Sequence, residues 1–323
     1  MPRKFIIDTD TASDDAVAII MALRTPEVQV EAITVVSGNV PLKQALSNAL
    51  YTVELCGADV PVYRGADKPL MREAVTAEWF HGDDGFGNMN YPAPTRKAED
   101  KPAVDALIDT IRANPGVVLV TLGPLTNVAL AVSSAPDIVS NVSRCVVMGG
   151  AACTVGNVTP AAEYNIWYDP EAARIAFHSG LPIEMVGWEH CRGESVFDEG
   201  EIAHMGGLGT PLADFAVDSN GTAIDAYRIQ TGEAGLSLAD PTAMAVALDP
   251  AVCTRSGRHY VDIETTSELT RGMTVVDQLA VASDERNRAV WKPLISREPN
   301  AMVCWGFDSK RFKDMVYQAL ADV

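Results

Sequence analysis

Four carboxylates fall within eight residues at Asp8-Thr9-Asp10-Thr11-Ala12-Ser13-Asp14-Asp15. They follow the apolar run Phe5-Ile6-Ile7, which reads as a buried strand. Side chains two apart on an extended segment point to one side, so Asp8 and Asp10 can share a face. Asp14 and Asp15 then come back at the start of a helix. Crowded carboxylates repel, and some stay protonated unless a cation sits among them. Several carboxylates plus carbonyl oxygens, with no clustered His or Cys, make a hard oxygen site. Ca2+ accepts its irregular geometry better than Mg2+ does. Two other readings compete on these residues alone. Asp14 or Asp15 can cap a helix while the others are solvated in a turn. A strand ending in Asp-x-Asp also suits a Mg2+-dependent aspartyl-phosphate phosphatase, but the downstream lysine and second acidic pair it needs have no evident counterpart. A nucleophilic cysteine is invited only at Cys191, in the polar run Trp188-Glu189-His190-Cys191-Arg192.

The elements that must position these groups alternate along the chain. Phe5-Ile6-Ile7 precedes a helical pattern from Asp15 to Leu23, and Val30 to Val36 precedes one from Leu42 to Leu55. Val117 to Leu122 precedes Leu125 to Val132, and Cys145 to Met148 is followed by the helical Pro170 to Phe177. Ile183 to Trp188 is a further strand candidate. This βαβ alternation predicts an α/β fold, a Rossmann-like, open, mostly parallel sheet flanked by helices. Ligands of such sheets bind beyond the carboxyl ends of the strands. Polar and glycine residues recur there: the Asp8–Asp15 cluster, Ser37-Gly38-Asn39, Gly123-Pro124-Leu125-Thr126-Asn127, Met148-Gly149-Gly150 and Glu189-His190.

The 323 residues carry a formal charge of −18, spread along the chain. Such a surface repels phosphate backbones, so no nucleic-acid partner is expected. An apolar fraction of 47% suffices for a sizeable core. No linker or repeat breaks the pattern, and residues 1–323 read as one domain. The N-terminus enters a strand-like run at once, without a signal peptide, and no apolar stretch is long enough to cross a bilayer. Six scattered cysteines without a CxxC pair suit free thiols in a reducing cytoplasm.

Taken in order, these blocks resemble the inosine-uridine-type nucleoside hydrolase family. Asp8-Thr9-Asp10-Thr11-Ala12-Ser13-Asp14-Asp15-Ala16 is similar to that family's DxDxxxDDA fingerprint. The likeness continues through Gly38-Asn39, His81-Gly82-Asp83-Asp84-Gly85-Phe86-Gly87, Leu122-Gly123-Pro124-Leu125-Thr126-Asn127 and Met148-Gly149-Gly150. It closes with Gly156-Asn157-Val158-Thr159-Pro160-Ala161-Ala162-Glu163-Tyr164-Asn165, Asp169-Pro170-Glu171-Ala172-Ala173 and Ala239-Asp240-Pro241. After about residue 255 no motif matches. The resemblance implies hydrolysis of ribonucleosides to ribose and free base, by a Ca2+-bound water that Asp10 activates as general base, through an oxocarbenium-like transition state. It implies Ca2+ ligation by the carboxylates of Asp10, Asp15 and Asp240 and the backbone carbonyl of Leu122. Asp14, Asn165 and Asp240 would bind the 2′- and 3′-hydroxyls, and Asn157 and Glu163 the 5′-hydroxyl. Asn39 and Met148 would line the ribose pocket. A dimer or tetramer and a role in nucleoside salvage or catabolism are implied with the rest.

One position departs from the family. Many members carry a histidine before the C-terminal metal aspartate, proposed to protonate the leaving base; here that residue is Ala239. His81, in the loop Trp79-Phe80-His81-Gly82-Asp83-Asp84-Gly85, is the first substitute. His190 is the second. Trp79 or Trp188 could instead stack on a purine, and Tyr227-Arg228-Ile229-Gln230 could reach the base. Asp240 before Pro241 also looks like a helix N-cap. If the acid is lost outright, a Ca2+-dependent non-catalytic nucleoside or ribose binder is the alternative.

Overall fold

The computed structural model describes residues 2–287 and 298–322. Ten strands succeed one another: β1 Arg3–Thr9, β2 Val28–Val35, β3 Val62–Arg64, β4 Val117–Thr121, β5 Val142–Met148, β6 Ile183–Val186, β7 Cys253–His259, β8 Val261–Ile263, β9 Thr274–Val276 and β10 Ala301–Phe307. Eight of them form one sheet in the order β3-β2-β1-β4-β5-β6-β10-β7. All neighbours are parallel except β10 and β7. β8 and β9 form a separate antiparallel pair. The first six strands therefore follow the doubly wound order, with its switch point between β1 and β4.

Burial on both faces explains why β1 reads as an unbroken apolar run. Phe5, Ile6 and Ile7 are all fully buried. Phe5 and Ile7 point into one core, with the helices Ser13–Leu23, Leu42–Leu55 and Ala239–Leu248. Ile6 points into the other, with Ala103–Ala113, Thr126–Ser134 and Pro170–Phe177. Fully burying each such side chain contributes about 1.5–3 kcal/mol, so neither face tolerates a polar substitution in mid-strand.

The expected strand Ile183 to Trp188 ends early, at Val186. Gly187 leaves it, and Trp188–Cys191 forms a 3-10 turn. The region past 255, silent as sequence, supplies β10, which inserts between β6 and β7, and the terminal helix Ser309–Leu320. Among the described residues, no helix is long and apolar enough to cross a membrane.

Candidate active site

The carboxyl ends of β1 and β4 flank the switch point, and the acidic cluster lies there. Asp10 follows β1 and is fully buried. Its Oδ2 accepts the N–H of Asn39 (2.5 Å), while its Oδ1 has no hydrogen-bond partner. Two glycines make room for this carboxylate. A Cβ on Gly38 would stand 2.0 Å from Asp10 Oδ2, and one on Gly123 2.5 Å from Oδ1. That is the reason these strand-end loops carry glycine.

Asp14 and Asp15 sit in the first turn of the helix Ser13–Leu23, whose N-cap is Ala12, so neither is the capping residue. Asp15 does reach back: its Oδ2 accepts the N–H of Ala12 (2.9 Å) and its Oδ1 the hydroxyl of Thr9 (2.6 Å). Asp240 likewise lies inside its helix, Ala239–Leu248, with Leu238 at the N-cap; the capping reading of Asp240 does not hold. Asp15 and Asp240 face each other, each with a carboxyl oxygen within 4.8 Å of the other's. Burial, together with the charge of Asp14, pushes the Asp15 carboxyl up to about 7. Burial and the neighbouring carboxylates hold Asp10 and Asp240 well above the usual range.

Asp14, Asp15 and Asp240 each offer an oxygen within 4.8 Å of the others. Asp10 borders this trio, since its charge raises Asp240 and that of Asp15 raises it. Asp10 Oδ1 and Asp14 Oδ1 are buried without hydrogen-bond partners. The Leu122 carbonyl, just past β4, accepts from Asn165 Nδ2 (2.7 Å). Buried, oxygen-only, mutually repelling donors fit a hard divalent cation, which would satisfy the orphaned oxygens and remove the repulsion.

A pocket of about 630 Å³, part of it open to solvent, lies against this cluster. Asp14, Asn39, His81, Met148, Asn157, Glu163, Asn165 and Asp240 line it. Asp10, Asp15 and Leu122 do not; they are fully buried and connect to it through Asn39, Asp240 and Asn165. Glu163 caps the helix Tyr164–Tyr168, accepting from Asn165 N (2.7 Å), Ile166 N (3.3 Å) and Gly150 N (2.8 Å). Burial pushes its carboxyl up to about 7 despite these donors. Asn165 Nδ2 also reaches the Met148 carbonyl (3.3 Å) and sulfur (3.4 Å), which tethers both residues to the end of β5.

His81 ends the short helix Glu78–His81 and is buried. Its Nδ1 lies 3.0 Å from Ser13 Oγ and 3.8 Å from Asp14 Oδ1. Burial lowers its pKa, and Asp14 opposes that shift. His190 is elsewhere: its Nε2 meets the carbonyl of Cys304 (2.8 Å) and its ring stacks on Phe307 (5.3 Å, 22°), outside the pocket lining. Cys191 is buried off the pocket too, and burial pushes its thiol far from ionisation. Of the stretch 227–230, only Gln230 lines the pocket, while the Tyr227 hydroxyl donates to Glu233 (2.6 Å). Trp79 is on the rim, 61% exposed, whereas Trp188 is buried in the wall. Ala77, Phe80, Val158, Tyr164 and Ser237 also line the pocket. Residue spacing does not single them out: Ala77, Phe80 and Val158 carry no reactive group, and the hydroxyls of Tyr164 and Ser237 gain a place only from the tertiary structure.

The family model for inosine-uridine preferring nucleoside hydrolases matches residues 5–314. The chain belongs to that family. As a nucleoside hydrolase it is an enzyme acting on the N-glycosidic bond of ribonucleosides. Among curated proteins it is similar to the pyrimidine-specific ribonucleoside hydrolase RihA of Shewanella sp. (strain ANA-3), with 38% identity over 99% of this chain and 97% of that one. A plant nucleoside hydrolase superposes over the full length of both chains, with a TM-score of 0.91 and 32% identity. A purine-preferring ribonucleoside hydrolase from Gardnerella vaginalis superposes over 98% of each chain, with a TM-score of 0.86 and 32% identity. The same mostly parallel sheet flanked by helices is thus common to these nucleoside hydrolases.

Proposed function

We propose that this nucleoside hydrolase cleaves ribonucleosides with Ca2+ as its metal, Asp10 as general base and His81 as the acid for the leaving base. The reading rests on one juxtaposition: a buried oxygen-only cluster against a pocket that has no lysine or arginine among its described lining residues. Absence of a basic group there argues against phosphoryl transfer, which needs cations around the transferring oxygens. Ca2+ held by Asp10, Asp15, Asp240 and the Leu122 carbonyl would grip the ribose diol and lower the pKa of the attacking water. Asp10, with Oδ2 pinned by Asn39, keeps Oδ1 for the proton of that water. Asp14, Asn165 and Asp240 bind the 2′- and 3′-hydroxyls, and Asn157 and Glu163 bind the 5′-hydroxyl. Asn39 and Met148 bound the ribose. The surrounding carboxylates stabilise positive charge developing on the sugar ring. Attack opposite the base inverts the configuration at C1′.

His81 takes the place that Ala239 cannot fill. Ser13 and Asp14 face its Nδ1, which leaves Nε2 for a base nitrogen. We also propose that residues 1–323 act as one domain, that copies associate as a dimer or tetramer, and that the protein works in nucleoside salvage or catabolism in the cytoplasm. Free, scattered cysteines support that compartment.

The test is release of free base and reducing sugar from inosine, guanosine, adenosine, uridine and cytidine, before and after chelation. Turnover is expected to vanish with chelator and to return with Ca2+ more fully than with Mg2+. Ribose binding without hydrolysis of any nucleoside would favour the binder instead. Full activity after exhaustive chelation would remove the metal from the mechanism.

A further inference from the structure

The segment 157–165 supplies the 5′ side of the pocket, and ties from two sides of the pocket's mouth end on it. On one side Gln230 Nε2 donates to the carbonyl of Asn157 (2.5 Å). On the other, the hydroxyl of Tyr164 lies 2.8 Å from the carbonyl oxygen of Gly38 and 2.8 Å from that of Val75. None of the roles assigned above uses this hydroxyl. A phenol has one proton, so it donates to one of these carbonyls at a time.

Both acceptors matter to the site. Gly38 packs so close to Asp10 that a Cβ there would stand 2.0 Å from the carboxylate, and the next residue's N–H binds that carboxylate. Val75 begins the segment that runs through Ala77 into the helix Glu78–His81. That segment is also tied to Asn39, whose carbonyl accepts the N–H of Ala77 (2.8 Å). The helix it leads into packs against Gly221–Thr231, the helix that carries Gln230. Tyr164 itself is held by the 5′ side: its N–H donates to Asn157 Oδ1 (2.9 Å), and Glu163 caps its helix. One side chain therefore connects the 5′ subsite, the wall of Asp10 and the segment bearing Trp79 and His81.

We infer that Tyr164 is a positioning residue whose hydroxyl latches residues 75–81 over the pocket, coupling occupancy of the 5′-hydroxyl subsite to the placement of His81. The inference rests on the nucleoside reading of the site. In the wild-type enzyme the 5′-hydroxyl then raises kcat as well as binding, because its contacts help to close the wall that bears the acid. Without the latch, the 5′-hydroxyl contributes to binding alone.

Tyr164→Phe removes the hydroxyl and keeps the ring. Two measurements follow, on inosine against 5′-deoxyinosine and on amide hydrogen exchange. In the variant, amides of residues 75–81 are expected to exchange about tenfold faster, the factor for one lost hydrogen bond. Exchange in β1 and β4 should not change, which controls for global unfolding. The kcat for inosine should fall about tenfold, while the kcat ratio of inosine to 5′-deoxyinosine shrinks toward unity. Equal slowing of both substrates, or unchanged exchange at 75–81, would overturn the latch. If the wild-type protein cleaves no nucleoside, the hydrolytic mechanism fails on its own, and the exchange of residues 75–81 alone decides the latch.

Discussion

Asp10 is gripped through one oxygen and free at the other, with glycines on both sides where any side chain would collide. A buried carboxylate in that state is unfavourable for stability and useful for proton abstraction. Asp10→Ala is therefore expected to lower kcat by at least about 10³-fold while the fold survives, because general base catalysis is worth that order and no core packing is lost. Initial rates and a circular dichroism melt check this; a variant within about tenfold of wild type would exclude Asp10 as the base. His81 makes a different prediction. His81→Ala should slow inosine and uridine by about 10²-fold, yet leave p-nitrophenyl riboside nearly untouched, since that leaving group needs no proton. Equal loss on all three would mean that His81 shapes the pocket rather than protonates the base. The crowding of carboxylates at one strand end is legible from spacing, but not that Asp8 turns away from the cluster to Thr34 and Asn127. Nor is the partnership of His81 with Ser13, because the two are 68 residues apart and meet only where a loop folds over a helix start.

At the scale of elements, the helix Ala239–Leu248 decides where Asp240 stands. Every residue of it except Ala239 is buried, so its two ends must be satisfied inside the protein. At the carboxyl end two arginines do this. Arg3 donates to the carbonyls of Ala247 (3.1 Å) and Leu248 (2.8 Å), and Arg144 to those of Ala247 (3.0 Å) and Val246 (3.0 Å). Positive charge there also complements the helix dipole. Glu184 holds Arg144 in place through two bonds of 2.6 and 2.7 Å. Arg144→Ala should cost about 1–3 kcal/mol of stability, since it strands the Val246 carbonyl and the Glu184 carboxylate, while Arg3 still serves the Ala247 carbonyl. It should also raise KM for nucleosides by loosening Asp240 at the helix's other end. A thermal melt and a KM series test both; an unchanged KM beside a lowered Tm would confine Arg144 to stability. The Ala239-Asp240-Pro241 block is legible in the sequence, but its likeness to an N-cap with proline at the first helical position misleads, because proline at the first and at the third helical position read alike without backbone angles.

Across the whole molecule, buried acids set how stability follows pH. Burial raises Asp8, Asp15, Glu163 and Glu189 to about 7 each. A carboxyl whose folded pKa is raised contributes stability that is complete below its unfolded value and is lost as pH rises through the folded one. Metal-free protein should thus lose thermal stability between roughly pH 4 and 7. Asp262 acts in another window: burial pushes it up, but bonds from His178 and Arg174 outweigh burial and hold it below the usual range. Its contribution disappears only in more acidic solution. Ca2+ should flatten or reverse the slope, since it binds only the deprotonated cluster and its affinity grows with pH. Melts at stepped pH, with chelator and with Ca2+, read both effects. A metal-free Tm that climbs from pH 5 to 7, about the interval where these acids ionise, would contradict the raised carboxyls.

Alternation of apolar runs and helical periods determined, by itself, the parallel sheet, its two covered faces and the edge where chemistry gathers. Those features follow from local periodicity and from strand ends, which a sequence displays directly. Strand-end carboxylates and glycines announced the cluster for the same reason. Only the tertiary structure decided which histidine lines the pocket, since His81 and His190 both follow plausible elements and differ in what packs behind them. It also brought Asp240 to Asp15, set β10 between β6 and β7, and hung Tyr164 between Gly38 and Val75. Each of these depends on side-chain direction across long-range contacts, and that direction is chosen by packing rather than by the order of residues.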